Sequence, residues 1–184
     1  MIADAAARQN ALMTGEVDII DRPDLKTIRL LERNRNIRVE QRTGTLHYTL
    51  PMHADAAPFS DNNIRLALKH AIDREEMVAK ILKGYGVPGN DHPIGPSNRF
   101  YNSALEQRVY DPDKARHYLK KAGLDKLDVK LSLAETAFPG ALDAGALFAE
   151  SANKAGININ IVREPNDGYW SNVWMQLPFC GTYW

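Results

Sequence analysis

One cysteine, Cys180, is all this 184-residue chain has. A single thiol excludes an internal disulfide framework and any site built on several cysteines. An excess of one charge is missing too, since 23 basic residues face 23 acidic ones. That balance leaves no electrostatic footprint for nucleic acid or an anionic membrane surface, so no nucleic-acid partner is expected. No apolar run approaches the ~18 residues needed to cross a bilayer. There is no G-x-S-x-G elbow and no H-E-x-x-H. The five histidines, His47, His53, His70, His92 and His117, show neither H-x-x-x-H nor H-x-H spacing. Neither a metal nor a cofactor is expected, and without a paired nucleophile and base, catalysis has no positive support. The opening MIADAAARQN lacks the basic start and cleavage site of a leader, so a signal peptide is expected to be absent from this stretch.

What the chain does have is a 44% apolar, 25% charged composition. That is the make-up of a soluble domain, long enough to bury roughly 70% of its unfolded surface. Residues 3–14 read as a helix (Ala6, Ala7, Ala11 and Leu12 recurring) stopped by Gly15. Val17 to Ile20 reads as a short buried strand, and Pro23-Asp24 as the start of a helix carrying Leu25, Ile28 and Leu31. Ile37, Val39 and Gln41 alternate as a half-buried strand should. After a turn at Thr43-Gly44, Leu46, Tyr48 and Leu50 continue as a second strand, ended by Pro51.

The segment PFSDNNIRLALKHAIDREEMV, from Pro58 to Val78, predicts two helices, each capped by an acid. Asp61 precedes Ile64, Ala67, Leu68, Ala71 and Ile72; Asp73 precedes Met77, Val78, Ile81 and Leu82. A carboxylate at a helix start accepts from free amides and complements the dipole. Residues 84–100, rich in Gly, Pro, Asn and Ser, read as a long loop. Gly84 to Gly89 fits G-x-G-x-x-G, but a helix precedes it and Pro88 removes an amide, so a helix stop is the better reading. Asp111 caps and Pro112 opens a helix with Ala115, Tyr118, Leu119 and Ala122, stopped by Gly123. Leu127, Val129, Leu131 and Leu133 alternate as a strand. Pro139 to Ala155 predicts a helix with Leu142, Ala146, Leu147 and Phe148 inward. Ile157, Ile159 and Ile161 make a further strand, and Asp167 is positioned to cap a last helix carrying Tyr169, Trp170, Val173, Trp174 and Leu177. Strand–helix–strand is a βαβ unit. The expected architecture is α/β: a mixed sheet with flanking helices.

Pro58, Phe59, Asp61, Arg65, Ala67, Leu68, Ala71, Ile72, Asp73 and Arg74 stand in an order that resembles the extracytoplasmic solute-binding proteins of peptide-type (dipeptide/oligopeptide) ABC importers. YDPDKARHYLKKAGL at 110–124 is similar to that family's Tyr-Asp-Pro-x-Lys-Ala pattern. Gly156-Ile157 followed by a strand matches another of its steps. The resemblance covers the chain from about Arg8 onward. It implies one lobe (lobe II) of a type II periplasmic-binding-protein-like fold, spanning 1–184 as a single α/β lobe truncated at both ends. It further implies a small solute (a peptide or similar) as ligand, the first lobe of the same protein and a membrane ABC permease as partners, and a periplasmic location. A solute-sensing lobe of a transcription regulator is the rival reading.

Ligands of α/β sheets lie in the crevice beyond strand C-termini. Glu135, Thr136, Ala137 and Phe138 hold that position, and the corresponding family loop contributes ligand contacts. Phe138 reads equally well as a core or staple residue. No Arg or Lys lies between Lys130 and Lys154, so a bidentate carboxylate anchor is missing locally. The resemblance places His53 just before the Pro-Phe pair, either bonding across the cleft or tying down a loop. It also puts Tyr183 and Trp184 near the interlobe crossover. Tyr169, Trp170 and Trp174 share a helical face suited to packing on the sheet. Cys180, in an apolar strand, reads as a small hydrophobe.

Overall fold

The computed structural model describes residues 2, 4–42, 44–89, 91–96 and 98–184. Ala3, Thr43 of the expected turn, and Asn90 and Ser97 of the expected loop lie outside the described residues. Helix α1 (Ala5–Thr14) is capped by Asp4 and closed by Gly15 at φ 76°. Its inward residues are Gln9 and Ala11, whereas Ala6 and Ala7 face solvent. Helix α2 (Ile28–Glu32) is shorter than expected. The Asp24 carboxylate accepts from Lys26 N at 2.9 Å, and Thr27 N donates to Asp24 O at 3.1 Å. These local bonds hold residues 24–27 in turns, where a helix would need the same groups. The strands expected at 17–20 and 37–41 do not form. Neither segment has a ladder partner among the described residues, and Ile19 stands 86% exposed. Alternation alone cannot make a strand without a neighbour.

Strand β1 (Tyr48–Thr49) is short because Pro51 supplies no amide to the ladder. The two acid-capped helices form as expected. Asp61 accepts from Asn63 N at the start of α3 (Asn62–Ala71), and Asp73 from Glu76 N at the start of α4 (Arg74–Lys80). Asp111 caps α5 (Pro112–Lys121) through Lys114 N, with Pro112 in the first turn. Gly84 sits at φ 85° just past α4, and its N–H donates to Val78 O at 3.0 Å. The G-x-G-x-x-G segment is thus a helix stop.

Strand β2 (Leu127–Leu133), helix α6 (Ala141–Asn153) and strand β3 (Ile157–Arg163) make the βαβ unit, with β2 and β3 parallel and Leu127 opposite Ile157. Helix α6 turns a small-residue face to the sheet. Ala141, Ala144, Gly145, Phe148, Ser151 and Ala152 are buried, while Ala146, expected inward, is exposed. Gly145 explains the rotation: a Cβ there would stand 2.4 Å from Leu133 Cδ1 and 3.1 Å from Ile161 Cδ1. The helix packs as close as a missing side chain permits.

Helix α7 (Tyr169–Asn172) is only one turn. Gly168, at φ 72°, takes the capping position expected of Asp167 and makes no side-chain cap. Strand β4 (Thr182–Tyr183) pairs antiparallel with β1, Tyr48 opposite Tyr183. The same segment touches β2 on its other side. Ser132 N donates to Phe179 O at 3.0 Å, Gly181 N donates to Ser132 O at 3.2 Å, and Cys180 bridges Ser132 in parallel. Segment 179–183 therefore lies between β1 and β2, and the sheet is mixed. Phe59, Leu68, Leu119, Leu131, Leu133, Phe148, Ile157 and Phe179 centre one core between the sheet and α3, α5 and α6.

Candidate functional site

Strand direction sorts the candidate residues into two ends. β2, β3 and the 179–183 segment run the same way, and β1 runs against them. The end beyond Leu133 and Arg163 is therefore also the end where Tyr183, Trp184 and Tyr48 lie. The loop Glu135–Phe138 leaves β2 there. Five of the six expected site residues, Glu135, Thr136, Phe138, Tyr183 and Trp184, gather at this end. His53 does not. It lies five residues further along the β1 chain, roughly 17 Å away at ~3.3 Å per residue. Its N–H donates to Pro178 O at 2.8 Å, which fastens the loop at the opposite end.

The gathered residues differ in what they offer. Glu135 is exposed, and its Oε2 accepts from Gly140 N at 3.3 Å, bracing the turn into α6. Thr136 N donates to Asn166 Oδ1 at 3.1 Å, tying the β2–α6 loop to the one after β3. Phe138 is 5% exposed and stacks on Tyr48 with ring centroids 4.7 Å apart and planes 14° from parallel. Phe138 is thus a core residue whose ring anchors Tyr48. Burial raises the Tyr48 phenol pKa above its ordinary value, with nearby Arg22 opposing.

Around Tyr183 and Trp184 the rings form two perpendicular pairs. Trp170 meets Tyr183 edge-on at 5.6 Å and 83°, and Trp174 meets Trp184 at 5.5 Å and 74°. Trp170, Trp174, Thr182, Tyr183 and Trp184 line an open depression of about 370 Å³ that carries no charged side chain. Trp170, Tyr183 and Trp184 are 41%, 43% and 62% exposed. Tyr169 secures this wall from beneath. Fully buried, its hydroxyl donates to Gly181 O at 2.8 Å, with Ser132 O at 3.3 Å. Burial pushes that phenol pKa far up, so it stays a neutral donor. The main chain completes the frame: His47 and Trp184 exchange N–H···O bonds of 3.0 Å in both directions.

The sequence missed Tyr48, and assigned Trp170 and Trp174 wholly to packing. Their place at the site depends on the Tyr48–Tyr183 pairing, which no local periodicity encodes. It also missed Arg163, the exposed last residue of β3, which lies beside Leu133 at this end. Register, not the 130–154 window, brings a cation here.

Cys180 is 1% exposed and burial pushes its thiol up to about 11, away from the thiolate a nucleophile needs. Among the described residues no group of three His, Cys, Asp or Glu is placed to hold a metal ion, and no helix is long and apolar enough to cross a membrane.

An open, aromatic-walled depression thus lies at the carboxyl end of a mixed sheet. Residues 1–184 match the family of bacterial extracellular solute-binding proteins, family 5 Middle. The chain belongs to that family. It is 32% identical over 122 residues to the glutathione-binding protein GsiB of Escherichia coli O6:K15:H31, covering 66% of this chain and 23% of that protein. It is 25% identical over 123 residues to the heme-binding protein A of Haemophilus influenzae, covering 67% of this chain and 22% of that one. Among solved structures, DppA from Helicobacter pylori, an ABC transporter-associated periplasmic binding protein in complex with the peptide STSA, superposes with a TM-score of 0.85 at 25% identity. That match covers 100% of this chain and 36% of DppA. The type II periplasmic-binding-protein fold expected from the sequence is the fold found. The matched segments are thus 22–23% of the length of these two curated relatives.

Proposed function

We propose that this chain is the second lobe of a longer solute receptor, and that the receptor delivers a small solute, a peptide or similar, to an ABC permease in the membrane. The observation that carries this reading is the aromatic wall of Trp170, Trp174, Tyr183 and Trp184, open to solvent at the sheet's carboxyl end. A cluster of exposed aromatic rings of this kind marks a surface that meets something. The first lobe of the same protein would supply the facing wall, and solute would be held between the two. Closure then needs only that solute bind the closed form better than the open one. The location would be extracytoplasmic, where such a receptor meets its cargo.

Within this reading, Tyr183 and Trp184 touch the solute, Thr136 and Glu135 shape the loop beside it, and Phe138 positions Tyr48. His53 holds the far loop. The protein's work is grip rather than turnover. The ABC-transporter association of DppA supports this reading over the transcription-regulator one. The nature of their cargo varies: a peptide with DppA, glutathione with GsiB, heme with heme-binding protein A.

The test is mass spectrometry of solute carried by the longer protein when purified intact, followed by calorimetry. Binding by the longer protein should weaken at least about tenfold in Trp184→Ala, a loss of ~1.4 kcal/mol. The 184 residues alone should bind that solute weakly, having half of the cleft. Submicromolar binding by the 184 residues alone, or full affinity in Trp184→Ala, would overturn the proposal.

A further inference from the structure

A second cavity lies on another face and shares no residue with the aromatic end. It measures about 410 Å³ and sits where residues 91–92 and 105–109 cover α3 and α5. Leu66, Leu105, Val109 and the Tyr118 ring give it apolar walls. Its floor is electrically lopsided. Lys69, Arg108 and Lys114 line it against Asp91 and Glu106, and Arg74 holds Asp91 from behind. The Asp91 carboxylate is taken up: Arg74 binds one oxygen at 2.5 Å and Arg108 the other at 2.8 Å. Asp91 and Arg74 side chains are only 16% and 14% exposed, so this pair is a fixed part of the fold.

Lys69 is left over. Among the described residues no carboxylate lies within ion-pair distance of its ammonium, and it projects from α3 into a half-buried setting. Desolvation lowers its pKa below the ordinary lysine value, with Asp91 only partly opposing. Partial burial of that charge costs free energy that a bound anion would offset. Nearby, His92 Nε2 is buried without a hydrogen-bond partner. His70 is 4% exposed, stacked on Tyr118 at 5.7 Å, with its Nδ1 3.3 Å from Val109 O.

We propose that this cavity is a binding site for a small organic anion, a carboxylate or phosphate monoester on a short carbon skeleton. Lys69 and Lys114 meet the anionic group, and Leu66, Leu105 and Val109 cover the carbon skeleton. The volume falls in the range of small-molecule sites and far exceeds a bare phosphate. Occupancy would pin residues 91–92 and 105–109 onto α3 and α5, adding to the Asp91 clamp.

Calorimetric titration of the 184-residue chain with succinate, glycerol 3-phosphate and inorganic phosphate tests this. At least one of the two organic anions should bind saturably and more tightly than inorganic phosphate, and the preferred one names the anionic group. Binding should weaken about tenfold or more in Lys69→Met and in Lys114→Gln, and fall with added salt. Trp184→Ala should leave it unchanged. Lys114 is exposed, so its variant keeps the test open if Lys69→Met melts early. No saturable binding up to ~10 mM, where affinity is already weaker than about 3 kcal/mol, would overturn the proposal. So would unchanged affinity in both lysine variants, or phosphate binding as tightly as the tighter of the two organic anions.

Discussion

Removing one oxygen from Tyr169 should measurably loosen the wall on which the proposed function rests. In Tyr169→Phe the ring keeps its buried place but the bond to Gly181 O at 2.8 Å disappears. Ser132 O, the longer contact at 3.3 Å, still accepts from Gly181 N. Gly181 O is left facing protein without that donor. A buried acceptor stripped of its partner costs about 1–3 kcal/mol. Burial of the remaining carbons is unchanged, so no cavity penalty beyond one oxygen is added. For a chain of this size each kcal/mol moves Tm by roughly 2–4 °C, so a drop of about 2–12 °C is expected. Urea titration should show a lower midpoint with unaltered slope, the mark of lost stability without a changed unfolded state. A midpoint within ~0.3 kcal/mol of the parent would refute the claim that this hydroxyl secures the 179–183 segment.

Gly145→Val should cost about 2–3 kcal/mol in the same assay, because its first carbon alone would collide with Leu133 and Ile161. Asp111→Ala should lose ~1 kcal/mol through the lost cap on Lys114 N, and Asp111→Asn should restore most of it. The buried thiol gives an alkaline signature. Its folded pKa, about 11, lies above the ordinary thiol value of 9.0, so its share of stability is full below about pH 9 and is lost as pH rises through 9–11. Tyr169 acts in the same direction, and Cys180→Ala should flatten the decline measured by urea midpoints at pH 8 to 11. His70 works the other way. Its pKa is lowered, chiefly by burial, so stability should fall as pH drops below about 6.5, and His70→Gln should remove that acid slope.

Local signals were legible wherever a single residue does a local task. The caps at Asp61, Asp73 and Asp111 and the stops at Gly15 and Gly123 stand where the sequence put them, because a cap needs only its own next turn. The alternation of Leu127 to Leu133 and Ile157 to Ile161 found both parallel strands, since each is flanked by its helix partner. Segment 37–41 carries the same alternation and 17–20 a short apolar run, and both remain unpaired among the described residues, which shows that pattern reports a capacity and pairing decides it. Helix α6 was placed correctly, with Phe148 buried and Leu142 packed on the core as expected; of the residues expected inward Ala146 alone faces solvent, because much of the inward face is written in Ala and Gly, which carry little hydrophobic contrast. At the candidate site the loop after β2 was legible from strand direction. The aromatic wall was only half legible, for Trp170 and Trp174 read as ordinary helix packing until β4 set them beside Tyr183 and Trp184.

The placement of segment 179–183 between β1 and β2 has a kinetic corollary. Tyr48 waits on a partner more than a hundred residues downstream, Tyr183, before it can join any ladder. Closing so large a loop is entropically dear and yields few bonds until Phe179, Cys180 and Gly181 have also engaged Ser132. The βαβ unit can zip early from neighbours in sequence, while the aromatic face must be the last part of the molecule to acquire its shape.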